Sequence, residues 1–310
     1  LPGLRTYLEV AEMLWRARSR LERDDFAMAE PLFERLFARY RGQTHGTALL
    51  VAEGLYRCKT VRGANDAAVI PGFEVIRMRR AGVAEPPPYR LRRRVVDESL
   101  WLCPDLVPAW HAGADLERLE REVRQYDAGD DALLGAQVAL YHLALRASLG
   151  RIDVRETGLV DRTALPDHPG IELLHDVVVA GYGVRGGWID ARRRLRTAVA
   201  GRAARDLRWA DAWRYYALGR AGLMGPDRDT RYAGLVDLLH VPTRTAFVSQ
   251  GYLRGLALSQ AAQWLEQRGE SAAAASIRRE FRRRYPGHPA GALPRSESVS
   301  RRRSDERDTA

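Results

Sequence analysis

Residues 9–40 constrain the fold of this chain more than any other stretch. Glu9, Val10, Ala11, Glu12, Met13, Leu14 and Trp15, continuing to Leu21, place apolar residues at helical spacing. Arg23-Asp24-Asp25 then turns the chain, and Phe26, Ala29, Phe33, Leu36 and Phe37 recur at intervals of three and four. A helix carrying such a stripe cannot bury it alone, so the two helices are expected to lie antiparallel against one another. Pro31 falls in the second turn of the second helix, near a start that Asp24 or Asp25 can cap.

The same logic runs down the chain. Leu49, Leu50, Ala52, Leu55 and Tyr56 mark a helix over 47–61, and Ala68, Phe73, Val75 and Ile76 mark its return over 66–78. Pro86-Pro87-Pro88 cannot donate backbone hydrogen bonds and favours an extended chain, which makes the clearest boundary. A short helix is expected over 95–102, stopped by Pro104 and Pro108. Residues 115–126 carry a narrow apolar stripe, and the turn at 127–131 caps a helix over 132–149. Leu133, Leu134, Val138, Leu140, Tyr141, Leu143 and Leu145 surround that helix, so it is expected at the centre of its region. Val177-Val178-Val179 could form a strand, but no partner strands accompany it, so 171–182 is read as helix. Further helices are expected over 188–205, 211–223, 230–240, 247–268 and 271–285.

The order of an aromatic, an Ala and a second aromatic at Phe26, Ala29 and Phe33 resembles the second helix of a tetratricopeptide repeat. Gly269 at a turn, Ala274 and Pro286 resemble the same repeat near the C-terminus, although Arg278 stands where that family usually has Phe. In the second hairpin Gly72 takes the aromatic position and Phe73 follows it. The resemblance covers residues 10–78 and 258–286. It implies an all-α fold of antiparallel helical hairpins stacked as a tetratricopeptide-like α-solenoid. N-terminal hairpins would occupy 1–84, a Pro/Arg-rich connector 85–110, a C-terminal helical-repeat region 111–290 and a disordered tail 291–310. A non-enzymatic scaffold that binds a protein or peptide partner on a concave face is the function such an architecture implies. Trp15, Phe26, Phe33, Leu134 and Phe281 would then be seam residues.

Composition adds a second reading. The chain has a formal charge of +10 and a pI near 10.0, and Lys59 is its single lysine. That bias has the look of Arg codons in a GC-rich genome, and net charge speaks weakly about task. Still, Arg77, Arg79, Arg80, Arg90, Arg92, Arg93 and Arg94 meet only Glu85 within 77–94, a local net of +6. Arg192, Arg193 and Arg194 with Arg196 form a second run, and Arg278, Arg279, Arg282, Arg283 and Arg284 a third. A basic module that binds nucleic acid or another anionic polymer would use Arg90, Arg92, Arg93, Arg94, Arg192, Arg193 and Arg194. No apolar run approaches the roughly 18–20 residues of a membrane-spanning helix. The start at Leu1, without an initiator Met, favours an exported chain over a cytoplasmic one.

Catalytic patterns are weak. Glu172, His175 and Asp176 would share a helix, but a carboxylate-bridged di-metal site needs a second Glu-x-x-His and two more carboxylates. Gly181 to Gly186 reads as G-x-G-x-x-G without the preceding strand that a dinucleotide site requires. No nucleophile, base and orienting group stand at meaningful spacing, so no enzyme activity, metal or cofactor is expected. Cys58 and Cys103 lack any metal-type spacing and are expected as small buried residues.

Overall fold

Aspartate side chains start four of the helices. Asp25 accepts the N–H of Met28, Asp115 that of Arg118, Asp131 those of Leu133 and Leu134, and Asp227 that of Thr230. The imidazoles of His45 and His168 do the same for Ala48 and Gly170. Each cap satisfies first-turn donors that have no helical partner.

The structure, a computed structural model, describes residues 2–84, 94–111, 115–152, 162–184, 187–200 and 207–292. Among them are twelve α-helices and no strand. These are α1 (Pro2–Glu22), α2 (Phe26–Tyr40), α3 (Gly46–Val61), α4 (Val69–Arg80), α5 (Leu116–Arg124) and α6 (Ala132–Ser148). They continue as α7 (Pro169–Gly181), α8 (Trp188–Ala200), α9 (Arg208–Leu223), α10 (Arg228–Thr243), α11 (Gly251–Gln267) and α12 (Ser271–Arg284). The protein is all-α, and the Val177-Val178-Val179 run is buried helix within α7. Each helix packs on the next in sequence, and α1–α3, α4–α6, α7–α9 and α9–α11 also touch. The C-terminal end returns to the first half: a Cβ added to Gly63, just after α3, would lie 2.8 Å from Cδ of Pro289.

α9 and α10 approach most closely, because glycines face each other across the pair. A Cβ on Gly219 would lie 2.7 Å from the backbone N of Leu238, and one on Gly222 would strike the Cα of Gly234. Two apolar clusters make the core. The smaller joins α1, α2 and one side of α3 through Ala17, Leu21, Ala29, Phe33, Leu36, Val51, Leu55 and Cys58. The larger begins on the other side of α3, at Ala48, Leu49, Ala52 and Tyr56, and continues to Phe281 and Ala290. α3 therefore buries apolar residues on two sides, as a helix sandwiched between two layers must.

Two expectations fail here. Residues 95–102 are not a helix. The Asp97 carboxylate accepts the N–H groups of Ser99 and Leu100, and the Asp97 N–H reaches the Leu102 carbonyl at 2.8 Å, so local side-chain bonds fold a tight loop instead. Trp101 in that loop takes a φ of 50°, rare for a bulky residue. Trp15 does not pack into a seam among the described residues: it is 67 % exposed, because no described helix covers the outer side of α1. Phe33 and Leu134 are buried as expected, and Phe281 closes the last hairpin. The Pro86–Pro88 run and the tail from residue 293 lie outside the described residues.

Candidate functional site

Residues 94–111 run through the middle of the helical array. Val95, Val96, Leu100, Leu102, Cys103, Leu106, Val107, Ala109 and Trp110 are all buried. Leu100 lies against Gly170 at the start of α7, and the Pro108 carbonyl accepts the Tyr182 hydroxyl at that helix's end, 2.9 Å away. The segment thus spans the length of α7. Turns within the segment satisfy some of its carbonyls, and helices on several sides serve others. Gln137 of α6 donates to the Trp101 carbonyl at 2.7 Å, and Tyr141 of the same helix donates to Leu106. Trp213 of α9 donates to Pro104 at 3.1 Å, Asn65 to Asp105 at 3.1 Å, and Tyr252 of α11 to Ala109 at 3.2 Å.

The segment is core and not a removable plug. Burying a large apolar side chain contributes about 1.5–3 kcal/mol, so its Val and Leu residues together contribute on the order of 10 kcal/mol. That matches the entire net stability of about 5–15 kcal/mol of a typical domain. An incoming peptide cannot displace it without unfolding the array. Of the expected connector 85–110, the described residues from 94 on are largely buried, with carbonyls that accept from α6, α7, α9 and α11.

Beside the second half of this segment opens a cleft of about 610 Å³. Four separate stretches line it: the end of α3 with Arg62 and Gly63, Asp105 and Val107 of the inner segment, the start of α11, and Tyr285 to Pro289. His288 is locked in one tautomer. Its Nδ1 accepts the Ala290 N–H at 3.1 Å, so the proton sits on Nε2 and is donated to the Tyr252 carbonyl at 2.8 Å. Burial lowers the pKa of His288 and that of His111 at the end of the inner segment, favouring neutral rings. Gln250 opens α11 at 4 % exposure, and its Nε2 has no hydrogen-bond partner.

The arginine runs are largely spent on internal carboxylates. Arg77 pairs with Glu74 at 2.7 Å, Arg79 with the buried Glu53 at 2.7 Å, and Arg80 with Asp131. Arg94 meets Glu98 at an exposed site, while Arg90, Arg92 and Arg93 lie outside the described residues. On α8, Arg194 grips Asp176 through Nε at 3.0 Å and Nη2 at 2.6 Å, and Arg196 grips Asp237 through both nitrogens. Burial pushes the Asp176 carboxyl up, but bonds from His175 and Arg194 outweigh it and hold the group below the usual carboxylate range. Arg193 pairs with Asp190 in the open, and Arg192 is half-buried on the same helix.

Glu172 and His175 do not converge. Glu172 pairs with Arg162, while His175 is buried against Asp176 at 3.2 Å. Among the described residues no group of three or more His, Cys, Asp or Glu side chains could hold a metal ion, and no helix is long and apolar enough to cross a membrane. Cys58 and Cys103 are free thiols, one in each apolar cluster, and burial pushes the Cys58 thiol up to about 12.

Sequence reasoning missed Tyr141, Tyr182, Trp213 and Tyr252 as a set. Each is an aromatic residue with a polar tip in or beside an apolar helix, and such tips find a partner when buried. That signal locates donors, but it cannot say which carbonyls they serve. No family model, curated protein or solved structure matches this chain.

Proposed function

We propose that this chain is a non-enzymatic, tetratricopeptide-like helical-repeat scaffold whose partner is a protein that docks through an amphipathic helix. Consecutive helices pack in order and alternate helices touch, which suits stacked hairpins. Residues 94–111 are buried among α6, α7, α9 and α11, so the partner belongs on an exposed helix face.

Trp15 carries the reading. It is 67 % exposed, Leu8 stands one heptad before it on α1 at 57 %, and Met28 of α2 is 55 % exposed. Large apolar side chains at heptad spacing are those that one helix buries against the next, and a single exposed Trp is the commonest kind of interface anchor. A partner helix on this stripe would continue the stack by one element.

Panning a displayed library of helical peptides against the full chain tests this. Selected peptides should bind wild type and lose tenfold or more in affinity with Trp15→Glu, while the melting midpoint stays within a degree or two. Selection of no peptide, or binding indifferent to Trp15→Glu, would sink the reading.

A further inference from the structure

The third arginine run is the one that the fold leaves short of carboxylates. α12 carries Arg278, Arg279, Arg282, Arg283 and Arg284. Arg278 holds Glu266 of α11 through both terminal nitrogens, and Arg283 and Arg284 share the single carboxylate of Glu280. Arg279 and Arg282 are exposed and have no carboxylate partner among the described residues. The three arginines of α4, and Arg194 and Arg196 of α8, each have a carboxylate of their own. An unpaired exposed guanidinium adds little to stability, and its field acts on whatever approaches from solvent.

This charge stands beside a groove. Ala274 and Phe281 form the buried side of α12, and a cavity of about 410 Å³ opens elsewhere on it. Leu258 of α11 and the partly exposed Ile277 give the groove an apolar floor, and Ser276, Arg279, Glu280 and Arg283 line the rest. Glu280 is already held by two arginines, so an incoming anion meets Arg279 first. Arg282, three residues on, is its neighbour on the helix surface.

The dimensions select the occupant. Arg279 to Arg282 covers about 5 Å of helix axis, room for one or two carboxylates. A nucleic acid is held through many phosphates along its length, and its sugar–phosphate backbone gains nothing from Ile277 and Leu258. We propose that this groove receives an acidic segment of a partner protein, one large apolar side chain resting on Ile277 and Leu258 and neighbouring carboxylates paired with Arg279 and Arg282. Guanidinium groups bind carboxylates in bidentate fashion, and the apolar floor adds the anchor that a bare polyanion lacks. The surface is separate from the apolar stripe at Trp15 and does not rest on it.

Fluorescence anisotropy of the full chain at physiological salt tests this with a labelled peptide in which one leucine stands between runs of glutamate. The peptide should bind saturably in the micromolar range. Changing Arg279 and Arg282 together to Gln breaks no described ion pair, so the melting midpoint should hold while affinity falls tenfold or more. Changing Arg192 and Arg193 to Gln on α8 should leave the affinity unaltered. The same peptide with glycine for leucine, and an oligothymidylate of equal charge, should each bind several-fold more weakly. The proposal is overturned if the leucine peptide does not bind. It is also overturned if both pairs of substitutions weaken binding equally, or if the glycine peptide or the oligothymidylate binds as tightly.

Discussion

Trp213 donates its indole N–H to the carbonyl of Pro104 at 3.1 Å, across 109 positions of sequence. Trp213 is fully buried and Pro104 half-buried, and the indole is the donor that serves this carbonyl. Trp213→Phe should orphan it at a cost of about 1–3 kcal/mol, with lost packing adding to that. Urea denaturation at fixed slope measures the loss. An unchanged midpoint would show that α9 does not hold the inner segment through this bond.

Gly222→Ala should destabilise despite putting a better helix former in the last turn of α9. Propensity alone would favour Ala by about 1 kcal/mol. Against it, the added methyl meets the Gly234 backbone, which cannot swing aside as a side chain would. Overpacking of about 1–3 kcal/mol should win, lowering the thermal midpoint by several degrees. Gly251→Ala, where a Cβ meets nothing within 4 Å, is the control and should be neutral or stabilising.

Mild acid should weaken the fold before any carboxylate titrates. Burial lowers the pKa of His111, His168 and His288, and His168 and His288 each use Nδ1 as an acceptor. Their folded values lie below the unfolded value of about 6.5, so the native state binds fewer protons in that window. The stability they contribute is complete above about pH 6.5 and is lost as pH falls through their folded values. Thermal midpoints at pH 7.5 and 5.5 should differ, the lower pH giving the lower midpoint, and His288→Gln should reduce the difference. Equal midpoints would contradict the neutral assignment.

Neighbouring arginines on α8 should behave in opposite ways. Arg194→Gln leaves the buried Asp176 with only His175, and because the guanidinium is about a third exposed the cost should be about 1–3 kcal/mol. Arg193→Gln removes a pair exposed on both sides and should fall within about 0.5 kcal/mol. If the chain binds polyanions, changing Arg192 and Arg193 to Gln should flatten the salt dependence of heparin binding by roughly one unit of slope per lost contact. Identical slopes in wild type and variant would remove this face from the anionic reading.

What could be read from the sequence was local. Asp25 and Asp131 announced the helices they cap, and the apolar circumference of α6 announced its burial. What could not be read was set by partners far along the chain. Residues 94–111 look like a linker because Pro104, Pro108 and Asp97 forbid a regular element, yet Tyr252 bonds to Ala109 from 143 positions away. Within the 77–94 run, Arg79 and Arg80 pair with Glu53 and Asp131, which lie outside that window and could not be counted in it. The cleft draws on four stretches that no spacing rule connects.

The enclosed segment also governs how this molecule comes apart. Arrays in which each unit touches only its neighbours can fray from one end, because their stability is a sum of nearest-neighbour terms. Here Gln137, Tyr141, Tyr182, Trp213 and Tyr252 all close on carbonyls made earlier in the chain, so α6, α7, α9 and α11 are tied to one central segment. Loop closure on that scale slows folding even among helical proteins. During synthesis residues 94–111 emerge before α6, α7, α9 and α11 exist to enclose them, and their apolar side chains wait until α11 arrives. The finished array should then unfold in one sharp transition, and removal of α11 and α12 should cost far more than two helices' worth of helicity.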